Sequence, residues 1–192
     1  MAALTGGKRS ASACCPTDLI VPSFDYFLAM QLAPPGEGFD APTRIAQSVL
    51  YRRWKGYAPP GTCTLVPLAD TSCTANKYGC RFIALCPTMR VPQSATWNRD
   101  VVYNCTWSLL NAIDQHNVSV EAAGDAGAKI RKVLMTGLAT GVGGVSAERC
   151  AEQTALAVKH YLDACADPEK WSSLQWKDAL AYDRETSRTY SL

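Results

Sequence analysis

The chain has 192 residues, 47% of them hydrophobic and 19% charged, at a mean hydropathy of -0.08. That is the length of one domain with enough apolar material for a core, and too much for a disordered chain. Lys and Arg number 19 against 17 Asp and Glu, a net charge of +2. This balance excludes a nucleic-acid binder built on a concentrated basic surface, and no apolar run reaches the ~18 residues a membrane-spanning helix needs.

Residues 1–15 read as a flexible arm, 16–170 as one α/β domain and 171–192 as a polar C-terminal tail that docks through its tryptophans. The start lacks the apolar segment of a secretory signal, so the chain is expected inside the cell, cytoplasmic or nuclear in preference to mitochondrial. Asp18 to Val21 predicts a short strand, and Pro34-Pro35-Gly36-Glu37-Gly38 a loop. Asp40 suits a helix N-cap and Pro42 its first turn. That helix should run to about Lys55 with Ile45, Val49 and Trp54 inward, and Gly56 should end it. Thr62 to Leu68 and Arg81 to Cys86 predict two strands with no room between them for a crossover helix, hence antiparallel neighbours.

Val101, Val102, Cys105, Leu109 and Ile113 follow helical spacing and place a helix over Asn98 to His116. Gly124 and Gly127 mark a turn, and Lys132 to Met135 predicts a buried strand. Ala147 to Ala166 predicts a helix with Ala151, Ala155, Val158, Leu162 and Cys165 on its inner face. Strand, helix, strand, strand, helix, strand, helix is the order of a three-layer α/β fold. Its sheet is mixed and mostly parallel, with helices on both faces.

Nine cysteines stand at 14, 15, 63, 73, 80, 86, 105, 150 and 165, an odd number without a Cys-x-x-Cys pair. With only His116 and His160 available as imidazole ligands, the pattern favours buried reduced thiols over zinc or a disulfide framework. The sequence asks for no metal and no cofactor. Both histidines fall at or near helix ends and are expected at the surface. Arg52, Arg53 and Lys55 read as a solvated helix face, and Cys150 as a packing residue.

The most informative segment is Lys132-Val133-Leu134-Met135-Thr136-Gly137-Leu138-Ala139-Thr140-Gly141-Val142-Gly143-Gly144-Val145-Ser146-Ala147. A strand enters, glycines follow in quick succession, and a helix leaves. Glycine permits tight turns and close approach of a ligand. Successive N–H groups and the positive end of the helix make such a loop an anion cradle. It is not a P-loop, since no Gly-Lys-Ser/Thr closes it. It is not a dinucleotide fingerprint either, because Ser146 stands where the third glycine belongs. A plain Gly-rich turn that packs helix against sheet is the competing reading.

The segment from about Thr62 to Ala166 resembles a macro domain, the ADP-ribose-binding fold, and is especially similar to the fungal macro-domain-like type. The match is carried by Gly137 through Arg149, Gln153 and Lys159-His160-Tyr161, together with Ala84-Leu85-Cys86-Pro87-Thr88-Met89 and Trp97 through Asn104. The resemblance implies that Gly137, Thr140, Gly141, Val142, Gly143, Gly144 and Val145 wrap a diphosphate and distal ribose. It also implies that Gly36, Gly38, Phe39 and Asp40 form a second ligand loop. Asp40 is then the one catalytic candidate, for contact with ribose or a reacting water, in competition with its capping role. The family's Pro-Ala-Asn piece has no counterpart, because Phe24 to Met30 replaces it, and the strands that come before it are expected to be shortened or absent.

The expected function is binding of ADP-ribose, a related phosphorylated nucleoside ligand or an ADP-ribosylated protein. Nucleic acid and membrane are not expected partners. The alternatives are a hydrolase of ADP-ribosyl esters or ADP-ribose 1″-phosphate, and a degenerate macro fold serving as an interaction module.

Overall fold

The computed structural model describes residues 18–21, 40–76 and 78–192. The expected arm, residues 22–35, Gly36, Gly38 and Phe39 lie outside the described residues. The elements in chain order are β1 (Leu19–Val21), α1 (Asp40–Trp54), β2 (Thr64–Pro67), β3 (Phe82–Leu85), α2 (Val101–Ala122), β4 (Val133–Met135), α3 (Ala147–Ala166), α4 (Pro168–Trp171) and α5 (Trp176–Ser187). Single 3-10 turns follow α2 and α5, at Ala126–Ala128 and Arg188–Ser191.

The sheet order is β2-β3-β1-β4. β1 runs parallel to both β3 and β4, with Leu19 opposite Phe82 and Val133. β2 and β3 are antiparallel, with Thr64 opposite Leu85. Alternation along β3 divides the core. Ile83 packs with Val66, Leu68 and the α1 residues Ala41 and Ala46. Ala84 faces the other way, to Leu19 and the α2 residues Val101, Val102, Cys105 and Leu109. Helices therefore cover both faces, and the fold is three-layer α/β with a mixed, mostly parallel sheet.

One carboxylate joins three strands at their starts. Asp18 accepts from the backbone N–H groups of Arg131 (2.9 Å) and Lys132 (3.1 Å) and from Arg81 Nη2 (3.0 Å). Burial pushes the Asp18 carboxyl up, but these donors outweigh it and hold it below the usual carboxylate range.

α1 starts at Asp40 and stops where Lys55 (φ +57°) and Gly56 (φ +97°) turn left-handed. α2 begins at Val101 rather than Asn98, because residues 95–98 close a turn, Asn98 N to Ala95 O at 3.0 Å. It continues past His116 to Ala122. Asn117 anchors the extra length by exchanging hydrogen bonds with the Ile130 backbone (2.7 and 2.9 Å).

Expectations about burial fail at β4 and α3. β4 is not a buried strand: Val133 is 42% and Leu134 41% exposed. β4 pairs on one side only among the described residues. α3 has the expected limits but the opposite inner face. Ala151, Ala155, Val158, Leu162 and Cys165 are exposed, and Arg149, Cys150, Gln153, Ala157 and His160 are buried. The reason is the partner surface: α2 and the tail present polar groups to α3, so its polar stripe can be buried with its hydrogen bonds made.

His160 is thus a core residue. With Nε2 protonated toward Glu185 Oε2 (3.4 Å), Nδ1 accepts the Tyr103 hydroxyl (2.9 Å). Burial, then the negative charge of Tyr182, Asp100 and Glu185, pushes Tyr103 up to about 12. His116 is half-buried, its Nε2 3.1 Å from Ala128 O and its ring edge-on to Phe82. Arg52, Arg53 and Lys55 are exposed as expected.

The C-terminal segment is helical. Trp171 stacks on Trp107 at 5.6 Å between centroids, whereas Trp176 is 85% exposed, so one tryptophan docks and the other does not.

Candidate functional site

β4 and α3 are joined by residues 136–146, and the loop is ordered by its own backbone. Gly144 N donates to Gly141 O (3.0 Å), closing a turn over 141–144, and Val145 N donates to Ala139 O (3.1 Å). Ala139 sits at φ +59° and Gly144 at φ +70°. Thr140 Oγ1 donates to Gly137 O (3.1 Å).

These bonds use the N–H groups of Gly144 and Val145. Those of Gly141, Val142 and Gly143 find no acceptor among the described residues. After three further residues, α3 starts at Ala147. There Ser146 caps the helix, its Oγ accepting from Arg149 N (3.1 Å), and the first helical N–H groups, of Ala147 and Glu148, have no partner in the helix ladder. The result is a run of free donors at the positive end of a 20-residue helix.

The glycines have different tasks. A Cβ on Gly143 would lie 2.5 Å from Ala139 O and 3.0 Å from its Cα, so this position is glycine to let the loop pack on itself. A Cβ on Gly137 would lie 2.8 Å from Thr140 Oγ1. At Gly141 nothing lies within 4 Å. The space at this position is open, and Val142 beside it is 68% exposed.

A second rim comes from the segment before α2. Ala95 N donates to Gly143 O at 2.8 Å. Ser94 and Thr96, exposed and 2.8 Å apart through their hydroxyls, lie against Gly144. The sequence reading missed this rim, since Ser94-Ala95-Thr96 carries no glycine or charge to mark it; only its pair of hydroxyls was available as a signal.

Of the residues anticipated from sequence, Gly137, Thr140, Gly141, Val142, Gly143, Gly144 and Val145 come together in this loop, with Val145 buried beneath it. Asp40 is the first residue of α1. Cys150, at the base of the loop, is buried. Burial pushes its thiol up, partly opposed by hydrogen bonds from the Leu138 backbone and Thr154, so it is a packing group and not a nucleophile. A separate concavity of about 280 Å³ is walled by Arg53, Trp54, Trp107, Asn111 and Gln115 among others, and takes no residue from the loop.

Neither a family model nor a curated protein matches the sequence. Among solved structures the chain is similar to the Oceanobacillus iheyensis macrodomain. A glycine-to-valine mutant of it with ADPR is 17% identical over 76% of this chain and 71% of that one, at a TM-score of 0.48. The macrodomain with ADP is 17% identical over 76% and 70%, at 0.47. The form with MES bound is 15% identical over 90% and 84%, at 0.47.

Proposed function

We propose that the chain binds ADP-ribose or a related nucleoside diphosphate through the loop from Gly137 to Val145. One observation carries this reading: three consecutive N–H groups, of Gly141, Val142 and Gly143, are left free beside the N-terminus of α3. Two or three converging N–H dipoles and a helix terminus hold a diphosphate without a cationic side chain. The Ser94 and Thr96 hydroxyls give the adjoining rim further donors. An ADP-ribosylated protein would present the same diphosphate.

The test is calorimetric titration of the full chain with ADP-ribose, beside a thermal melt. A micromolar dissociation constant corresponds to about 8 kcal/mol. Ligand at about 100 times that constant stabilises the fold by about 2.7 kcal/mol. For a chain of this length that raises Tm by roughly 5–10 °C. No heat and no shift at millimolar ADP-ribose would overturn the proposal.

A further inference from the structure

The chain's last residues reach the frame of the candidate site. Tyr190 donates its hydroxyl to Asp100 Oδ1 at 2.7 Å. Its ring centroid lies 5.4 Å from the guanidinium carbon of Arg99 and 5.6 Å from that of Arg149. Arg149 is 7% exposed. Its Nη2 donates to the Arg99 carbonyl, and its Nε has no acceptor among the described residues. A guanidinium so deeply buried needs compensation, and the Tyr190 ring supplies part of it.

Thr189, fully buried beside Tyr190, accepts from Gln153 Nε2 at 2.9 Å. Gln153 Nε2 also donates to Arg99 O (2.7 Å), and its Oε1 accepts from Tyr103 N (3.2 Å). Asp100 immediately precedes α2 yet makes no cap bond there, since the tail engages its carboxylate.

These contacts join two exits. Arg99 and Asp100 end the segment whose Ala95 N–H holds the Gly143 carbonyl. Arg149 is in the first turn of α3, which leaves the glycine loop. We propose that Tyr190 is a positioning residue of the anion site: it holds the 94–100 segment against the start of α3 and so fixes the direction of the loop N–H groups. The proposal rests on the reading of the loop as an anion cradle. It touches no ligand itself and acts through Arg99, Asp100 and Arg149.

The experiment compares amide spectra of ¹⁵N-labelled chains and ADP-ribose affinity. Tyr190→Ala should displace the amide resonances of Gly141, Gly143 and Gly144 in the free protein and weaken ADP-ribose about fivefold or more. Tyr190→Phe keeps the ring over both guanidinium groups, loses the bond to Asp100, and should fall between Tyr190→Ala and the parent. Glu185→Gln, which cuts the tail's 2.6 Å ion pair with Lys159 on the other side of the junction, should leave those amides in place. Unmoved glycine amides in both Tyr190 variants, or an equal displacement in Glu185→Gln, overturn the positioning role. If Tyr190→Ala does not fold, the amides of Tyr190→Phe decide alone. A parent that does not bind ADP-ribose overturns the functional reading instead, and the amide comparison still decides for or against Tyr190.

Discussion

Substituting Gly141 separates a ligand cradle from a loop that merely packs. Its φ lies outside the left-handed region, and no atom lies within 4 Å of a Cβ built there. Gly141→Val should therefore fold with a Tm within about 2 °C of the parent, helped by the smaller entropy of its unfolded chain. If a ligand sits on this turn, the valine side chain adds bulk next in sequence to the free N–H groups of Val142 and Gly143. ADP-ribose affinity should fall at least tenfold, about 1.4 kcal/mol. Gly143→Ala should show the reverse signature. Its Cβ meets Ala139 O at 2.5 Å, and that neighbour is backbone. Relieving such a contact costs about 1–3 kcal/mol, and Tm should drop by roughly 2–10 °C. Calorimetric titration and a melt on each variant read both quantities. Parent-like affinity in a well-folded Gly141→Val would refute the placement of the diphosphate over this turn.

Asp18→Asn should lower stability by about 1–3 kcal/mol, because an amide oxygen can still accept from both backbone N–H groups, which share Oδ2, only by turning its own NH2 group toward the Arg81 guanidinium, and it carries no charge to pair with it; urea melts measure it. Since the Asp18 carboxyl is held below its unfolded value, its stabilisation is present above the unfolded pKa and is lost as pH falls through the folded one. The parent should accordingly lose stability in that acid window by more than Asp18→Asn does, and parallel curves would contradict this. In native protein, iodoacetamide should modify Cys165 before the buried Cys63, Cys73, Cys80, Cys86, Cys105 and Cys150, as read by peptide mapping. Burial pushes Cys105 up to about 12, so its alkylation should await unfolding. His160→Leu removes the acceptor of the Tyr103 hydroxyl and should cost about 1–3 kcal/mol in urea unfolding.

The layer order was legible because its signals are local. The pair β2 and β3 followed from a spacing too short for a crossover, and the helix over Ala147 to Ala166 from its helical spacing. What could not be read was which side of α3 faces inward. Ala151, Ala155, Val158 and Leu162 form the more apolar stripe, yet Gln153 and His160 are the buried ones. Their burial is stabilised by groups far away in sequence: the Arg99 carbonyl, the Tyr103 hydroxyl, Thr189 and Glu185. Hydropathy assigns a cost to a polar side chain and knows nothing of the partner that cancels it. The same blindness put both histidines at the surface.

The glycine loop was legible as a loop but not as a division of labour. Sequence presents Gly137, Gly141, Gly143 and Gly144 as equivalent, and each answers to a different constraint. Gly137 and Gly143 make room for Thr140 and for the Ala139 backbone, and Gly144 takes φ +70°. Only Gly141 is free of its own chain, so only there does the absence of a side chain await an account from outside the fold. The N–H groups of Gly141 and the two residues after it, like those of Ala139 and Thr140 before it, have no acceptor among the described residues. A turn built only to pack α3 against the sheet would need Gly137, Gly143 and Gly144 and would tolerate a side chain at Gly141 without consequence. That is why Gly141, although Gly143 looks the more constrained, is the residue at which packing and binding predict opposite outcomes.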